Sequence, residues 1–170
     1  MKHGIAIAML AVMASCTPTT TPTPPTPPAP TGPIPDTGVS LSRGACFGTC
    51  PIYTITVSAN EFYTLDLGMF TRAPGTTETG VFPAGTFAAA TNALRNANFS
   101  ALPTDITSGS PDCGGIAPTD LPSAQIGEIT IAGPRIVDYY IGCFDAPSSP
   151  AVLTLLGELD GIFGLPALVN

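Results

Sequence analysis

The stretch TPTTTPTPPTPPAPTGPIPD, Thr17 to Asp36, decides most about what this chain can fold into. It holds nine of the twenty prolines together with seven threonines. Proline has no amide hydrogen to donate and holds φ near the polyproline II value, so neither a helix nor a sheet can run through such a segment. At about 3.1 Å per residue the tract reads as a stiff spacer of at most roughly 60 Å. It divides the sequence into a short leader and a following segment, residues 37–170, which is one domain's worth of chain. A domain near that length buries about two-thirds of its unfolded surface, enough for one core.

The leader, MKHGIAIAMLAVMASC, carries Lys2, then an uncharged run from Gly4 to Ala14, then Ser15 and Cys16. The run is well short of the roughly 20 residues a bilayer-spanning helix needs, and it has the layout of an export signal. Its ending, MASC, resembles the lipobox of bacterial lipoproteins, with Met13 where leucine is usual. That resemblance implies a signal peptide over residues 1–15 and lipidation of Cys16, with residues 16–36 forming the lipidated cysteine and its proline- and threonine-rich linker. Several acyl chains anchor stably where one does not, so the expected membrane contact is through the acyl chains on Cys16, without a span. Thr17, where an aspartate would retain the protein at the inner membrane, resembles the sorting pattern of Gram-negative lipoproteins. It implies the cell envelope, at the periplasmic face of the outer membrane.

Removal of the leader also removes Lys2 and His3. Arg43, Arg72, Arg95 and Arg135 then face twelve carboxylates, a net charge of −8 from four positive and twelve negative groups. Without histidine or lysine the mature chain cannot build a Ser/His/Asp triad, a Cys/His pair, a Schiff base or a histidine metal site. No catalytic residue stands out, and no metal or other cofactor is expected. Four scattered arginines in an acidic chain also argue against nucleic acid, whose affinity comes mainly from phosphate neutralisation.

Periodicity supplies the fold class. In IYTITVS, Tyr53, Ile55 and Val57 alternate with Thr54 and Thr56, as in a half-buried strand; Glu61 to Leu67 repeats the pattern, which makes a hairpin turning near Ala59 and Asn60. GVSLSR before the first cysteines and TTETGVF from Thr76 read as further strands. From Pro83 the period becomes 3.6, with Phe87, Ala90, Leu94 and Ala97 on one stripe of a helix of about fourteen residues that ends before Phe99. Residues 103–124, rich in Pro, Gly, Ser and Asp, read as a long loop, a rarity in compact domains unless functional or stapled. QIGEITI and RIVDYYI flank Gly133 as a second hairpin. The chain closes on a helix with Ser148 or Ser149 as N-cap, Pro150 in the first turn and Val152, Leu155, Leu156, Leu159 and Ile162 on one face. The expectation is an α+β domain: an antiparallel sheet of about five strands, including two hairpins, with two helices packed on one face.

Four cysteines remain beyond Cys16, an even number in an exported chain, which favours disulfides in one of three connectivities. Cys46 and Cys50 would lie roughly 13 Å apart in an extended chain, against the roughly 4.4–6.8 Å a disulfide needs. The segment between them must turn, and Gly44 and Gly48 make turning easy. Redox catalysis and a four-cysteine zinc site are the weaker readings. The motif enters a strand with Arg43 its only nearby charge, and the spacing and oxidising setting do not suit zinc.

RGACFGTCPIYTITV resembles the opening of the bacterial domain-of-unknown-function family 6438, whose members carry a similar CFGxCPxY segment leading into a strand and hairpin. TDLP at Thr119–Pro122, VDYY at Val137–Tyr140 and the closing helix continue the likeness. The resemblance implies that Cys46 pairs with Cys50 within the motif, leaving Cys113 to pair with Cys143; it implies nothing about activity. The candidate recognition surface is Arg43, Phe47 and Tyr53 around the cysteine loop, with Asp120 of TDLP. The plainer readings are an anchoring role for Phe47 against the sheet and a turn role for Asp120. The function these features support is structural or binding, with a periplasmic protein or a cell-wall component as partner. The alternative is an envelope enzyme, either a thiol–disulfide oxidoreductase using Cys46 and Cys50 or a carboxylate-based glycan hydrolase.

Overall fold

The computed structural model describes residues 37–170; the leader, Cys16 and the proline tract lie outside the described residues. Seven strands form one sheet: β1 (Gly38–Arg43), β2 (Tyr53–Ser58), β3 (Phe62–Leu67), β4 (Thr76–Val81), β5 (Asp105–Ile106), β6 (Ser123–Thr130) and β7 (Gly133–Tyr140), in the order β4-β3-β2-β1-β6-β7-β5. Three helices accompany it: α1 (Thr86–Asn96), α2 (Ser149–Ile162) and α3 (Leu165–Val169). The α+β class is as expected. The sheet is larger than five strands, and it is mixed because β5 runs parallel to β7 while every other pairing is antiparallel. The two-residue β5 lies in the segment read as loop; a strand that short has no periodicity to reveal it, and its partner is remote in sequence.

β1 sits at the centre, with Leu41 opposite Ile55 on β2 and Ile126 on β6. These three, with Val39, Val57, Leu65 and Val137, have no solvent exposure and point to the face covered by the helices. Burial of each such side chain stabilises the fold by about 1.5–3 kcal/mol. From α1 the face receives Ala90, Ala93 and Leu94, and from α2 Val152, Leu155, Leu156 and Leu159. The opposite face carries the alternating residues Ser40, Ser42, Thr54, Thr56 and Thr64, and no described helix lies over it.

α1 starts at Thr86, three residues later than Pro83, because Gly85 takes φ 97° and no side chain of its own segment caps the end. Glu61, from the β2–β3 turn, does so instead: its carboxylate accepts from the amides of Gly85 at 2.7 Å and Phe87 at 2.8 Å. Glu61 itself adopts φ 66°, a left-handed position usually given to glycine. The helix-capping bonds offset that strain. At α2, Ser148 is the N-cap, and it is the buried Ser149 hydroxyl that bonds, to the carbonyl of Cys143, while accepting from Tyr139 at 3.0 Å.

Candidate functional site

The register places one set of connections at one end of the sheet. Thr76, Leu67, Tyr53, Arg43, Ala124 and Tyr139 form a row across six strands. Beyond it lie the β1–β2 loop, the β3–β4 loop, the β5–β6 loop and the segment leading into α2. Both disulfides belong to this loop end. Cys46 bonds Cys50 with Cα atoms 5.8 Å apart, and Gly48 at φ 146° makes the turn between them. Cys113 bonds Cys143 with Cα atoms 4.8 Å apart, tying the long β5–β6 connection to the end of β7.

Main-chain hydrogen bonds join these loops to one another. The Gly44 amide donates to Ser123, Phe47 to Asp120, Ile52 to Met69 and Arg72 to Val169, at 2.9, 3.1, 2.9 and 2.9 Å. The loop end is thus a fixed frame, although its segments are irregular.

On the helix side of this frame lies a pocket of about 290 Å³ between the cysteine loop and α3, walled by Pro51, Pro122, Leu165 and Val169. Three polar side chains meet at it. The Arg43 guanidinium donates to Asp160 at 2.6 Å, and the Tyr53 hydroxyl donates to the other carboxylate oxygen at 3.2 Å. Burial, and secondarily the negative charge of Asp160, push the Tyr53 hydroxyl up to about 12 from its ordinary 10.0. Tyr53 therefore remains a neutral donor at physiological pH.

The rim of the loop end is apolar. Phe47, Met69, Phe70, Ile116 and Phe144 all project to solvent from its loops, Phe47 being 88% exposed. Phe70 holds φ 62°, rare for a bulky residue, between two fixed neighbours: Met69 accepts from Ile52, and the Thr71 hydroxyl donates to Gly68 at 2.6 Å. The two arginines here are engaged, Arg43 with Asp160 and Arg72 with Glu78, whereas Asp112, Asp120 and Asp145 have no ion-pair partner among the described residues. The surface is aromatic and acidic.

Of the residues expected from sequence, Arg43 and Tyr53 come together at one carboxylate. Phe47 does not anchor the loop to the sheet; its ring is free and its amide holds Asp120. The Asp120 carboxylate is exposed and accepts from the neighbouring Thr119 hydroxyl at 3.1 Å rather than from its own backbone. Asp160 was not foreseen: it is one of two carboxylates, with Glu158, near the end of an otherwise apolar helix, and its partners are 117 and 107 residues away. A readable sign of Phe70 was the pair Met69–Phe70 inside a glycine-, threonine- and proline-bearing turn.

Fold and site together define a disulfide-stapled, two-layer α+β domain with a rigid loop end. The chain belongs to the family described as Domain of unknown function (DUF6438), whose model matches residues 37–147. The match includes the sheet, both disulfides, Arg43, Phe47, Tyr53 and Asp120, and stops before α2, so Asp160 and α3 lie beyond it. No curated protein matches the chain.

Proposed function

We propose that this is a lipid-anchored envelope protein whose domain binds a periplasmic protein through its loop end. The observation that carries the reading is the gathering of five exposed large apolar side chains, one of them at a strained φ, on loops that both disulfides and the cross-loop hydrogen bonds hold rigid. Rigid aromatic anchors lose little conformational freedom on binding, and interface energy concentrates in such residues beside a pocket. The unpaired aspartates suit a partner with a basic, apolar surface. Anchoring rests on the leader and Cys16.

The test is site-specific photocrosslinking in intact cells, with the reactive residue at position 47, 70 or 144 and, as a control, at Ile131 on the far β6–β7 turn. One envelope protein should be captured from the first three positions and not from the fourth; equal capture from both ends refutes the loop-end reading. Intact mass of the mature protein should give an acylated Cys16 at its N-terminus. An unmodified N-terminal peptide sinks the anchor.

A second reading, thiol–disulfide exchange at Cys46–Cys50, draws on the exposure of that loop. Against it, Arg43, three residues before Cys46, is committed to the Asp160 carboxylate. A Cys50→Ser variant that traps no mixed disulfide removes it. The glycan hydrolase reading finds less support, since three of the pockets formed by the described residues each bring one acidic side chain, Glu128, Asp138 or Asp160, and not a facing pair.

A further inference from the structure

The sheet face away from the helices has its own chemistry. Ser40, Ser42, Thr54, Thr56, Thr64 and Ser123 share it by register, and no arginine does. Arg43 and Arg135 alternate to the helix side, where they bond Asp160 and the carbonyls of Phe99 and Leu102. Near the loop end this face sinks into a depression of about 330 Å³, within the range of roughly 300–1,000 Å³ that small-molecule sites occupy. Its polar side chains are Ser42, Thr54, Thr107, Ser123, Gln125 and Asp138; Arg43 also borders it, with its guanidinium turned by register to Asp160 on the helix side. The Ser42 and Thr54 hydroxyls lie 2.9 Å apart, and Gln125 donates to Asp138 at 2.6 Å.

That lining selects by charge and by hydrogen-bonding type. An anion would meet Asp138 with no cationic side chain on this face to receive it. A metal ion finds no group of three ligating side chains among the described residues. The second carboxylate opposite Asp138, Asp105, is already held by the amide and hydroxyl of Thr107, at 3.2 and 2.5 Å. An apolar molecule would strip water from the hydroxyls without replacing their hydrogen bonds. A neutral polyhydroxylated molecule fits: each sugar hydroxyl both donates and accepts, as do serine, threonine and the glutamine amide. We infer that this depression binds a neutral glycan, distinct from whatever occupies the loop end. By register Ser40 and Thr56 extend the row of hydroxyls along this face beyond the depression.

The experiment is an amide NMR titration of the described domain within the full mature chain, using three probes: N-acetylglucosamine, its β-1,4 tetramer, and the β-1,4 glucose tetramer. Shifts are expected at Ser42, Thr54, Gln125 and Asp138, with affinity reduced about tenfold by Thr54→Val and by Gln125→Ala, and unchanged by Phe47→Ser. Thr54→Val keeps a β-branched shape and Gln125 is exposed, so both variants should fold, which the retained spectrum verifies. Tighter binding of a tetramer than of the monomer assigns a polymeric glycan; equal affinity per site assigns a free sugar. The inference is overturned if no probe moves these amides at millimolar concentration, if only loop-end amides move, or if both variants bind as the wild type does.

Discussion

Cys113→Ala with Cys143→Ala opens a staple of sequence separation 30, and Cys46→Ser with Cys50→Ser opens one of separation 4. Counting both ends, the closed loops hold 31 and 5 residues. Loop-closure entropy assigns them about 3.7 and about 2.1 kcal/mol. The longer bond has a second contribution. Cys113 and Cys143 are 2% and 1% exposed, so truncating them leaves unfilled space worth roughly another 1 kcal/mol. At about 2.1 cal/mol/K per residue, the 134 residues from 37 to 170 unfold with an entropy near 280 cal/mol/K. Loss of the buried bond should therefore lower Tm by about 13–17 °C, and loss of the loop bond by about 7 °C. The chain has no tryptophan, so far-UV circular dichroism or tyrosine emission is the signal, followed in heat and in urea. Equal shifts, or a larger one for the Cys46/Cys50 variant, would refute the reasoning that the long connection owes its order to Cys113–Cys143.

Glu61→Gln should lower stability by about 1 kcal/mol in urea unfolding through weaker capping of α1, and Glu61→Gly should lower it too although glycine relieves the φ of 66°; a more stable glycine variant would mean the strain outweighs the cap. A double-mutant cycle of Arg43→Ala and Asp160→Ala should return a coupling of about 1–2 kcal/mol, since the side chains are 19% and 28% exposed and Tyr53 shares the carboxylate; zero coupling would dismiss the cluster as a stabilising unit. The pKa of Tyr53 is raised by folding, so its contribution is complete below pH 10 and is lost as pH rises through about 12. Two pH units set a ceiling of about 2.7 kcal/mol, which solvent at Asp160 reduces to about 1–2. Tyrosinate absorbance, read against Tyr53→Phe, should titrate near 12, and Asp160→Asn should bring it part of the way back; an unshifted titration near 10 contradicts the buried hydrogen bond.

Alternation made Tyr53, Ile55 and Val57 legible as one buried face, and the 3.6 period did the same for Ala90 with Leu94 and for Val152 with Leu159. These patterns depend on burial against a single neighbour layer, and they appear locally in sequence. β5 was illegible because Asp105 and Ile106 owe their extended pairing to β7, a tertiary contact that leaves no local trace. Phe47 was legible as a candidate and illegible as to direction, since a loop aromatic looks the same whether it faces core or solvent. Asp160 was hidden for a related reason: its role comes from Arg43 and Tyr53, and nothing near it in the chain names them. The cysteines allowed three pairings by count; the folded chain contains Cys46–Cys50 and Cys113–Cys143, the pairing that the resemblance implied.

The loops at this end of the sheet are held by their own amides and carbonyls and by two sulfur bridges, while Ala45, Phe47, Thr49, Phe70 and Ile116 contribute exposed side chains. Shape and chemistry are therefore written in separate parts of the same residues. Point changes at these positions can rewrite the chemistry of the surface while the framework that presents it stays intact, so the domain is suited to diverge in surface faster than in structure. The same separation makes these positions suitable for randomisation in a display library, with Glu61, Cys113 and Cys143 left untouched.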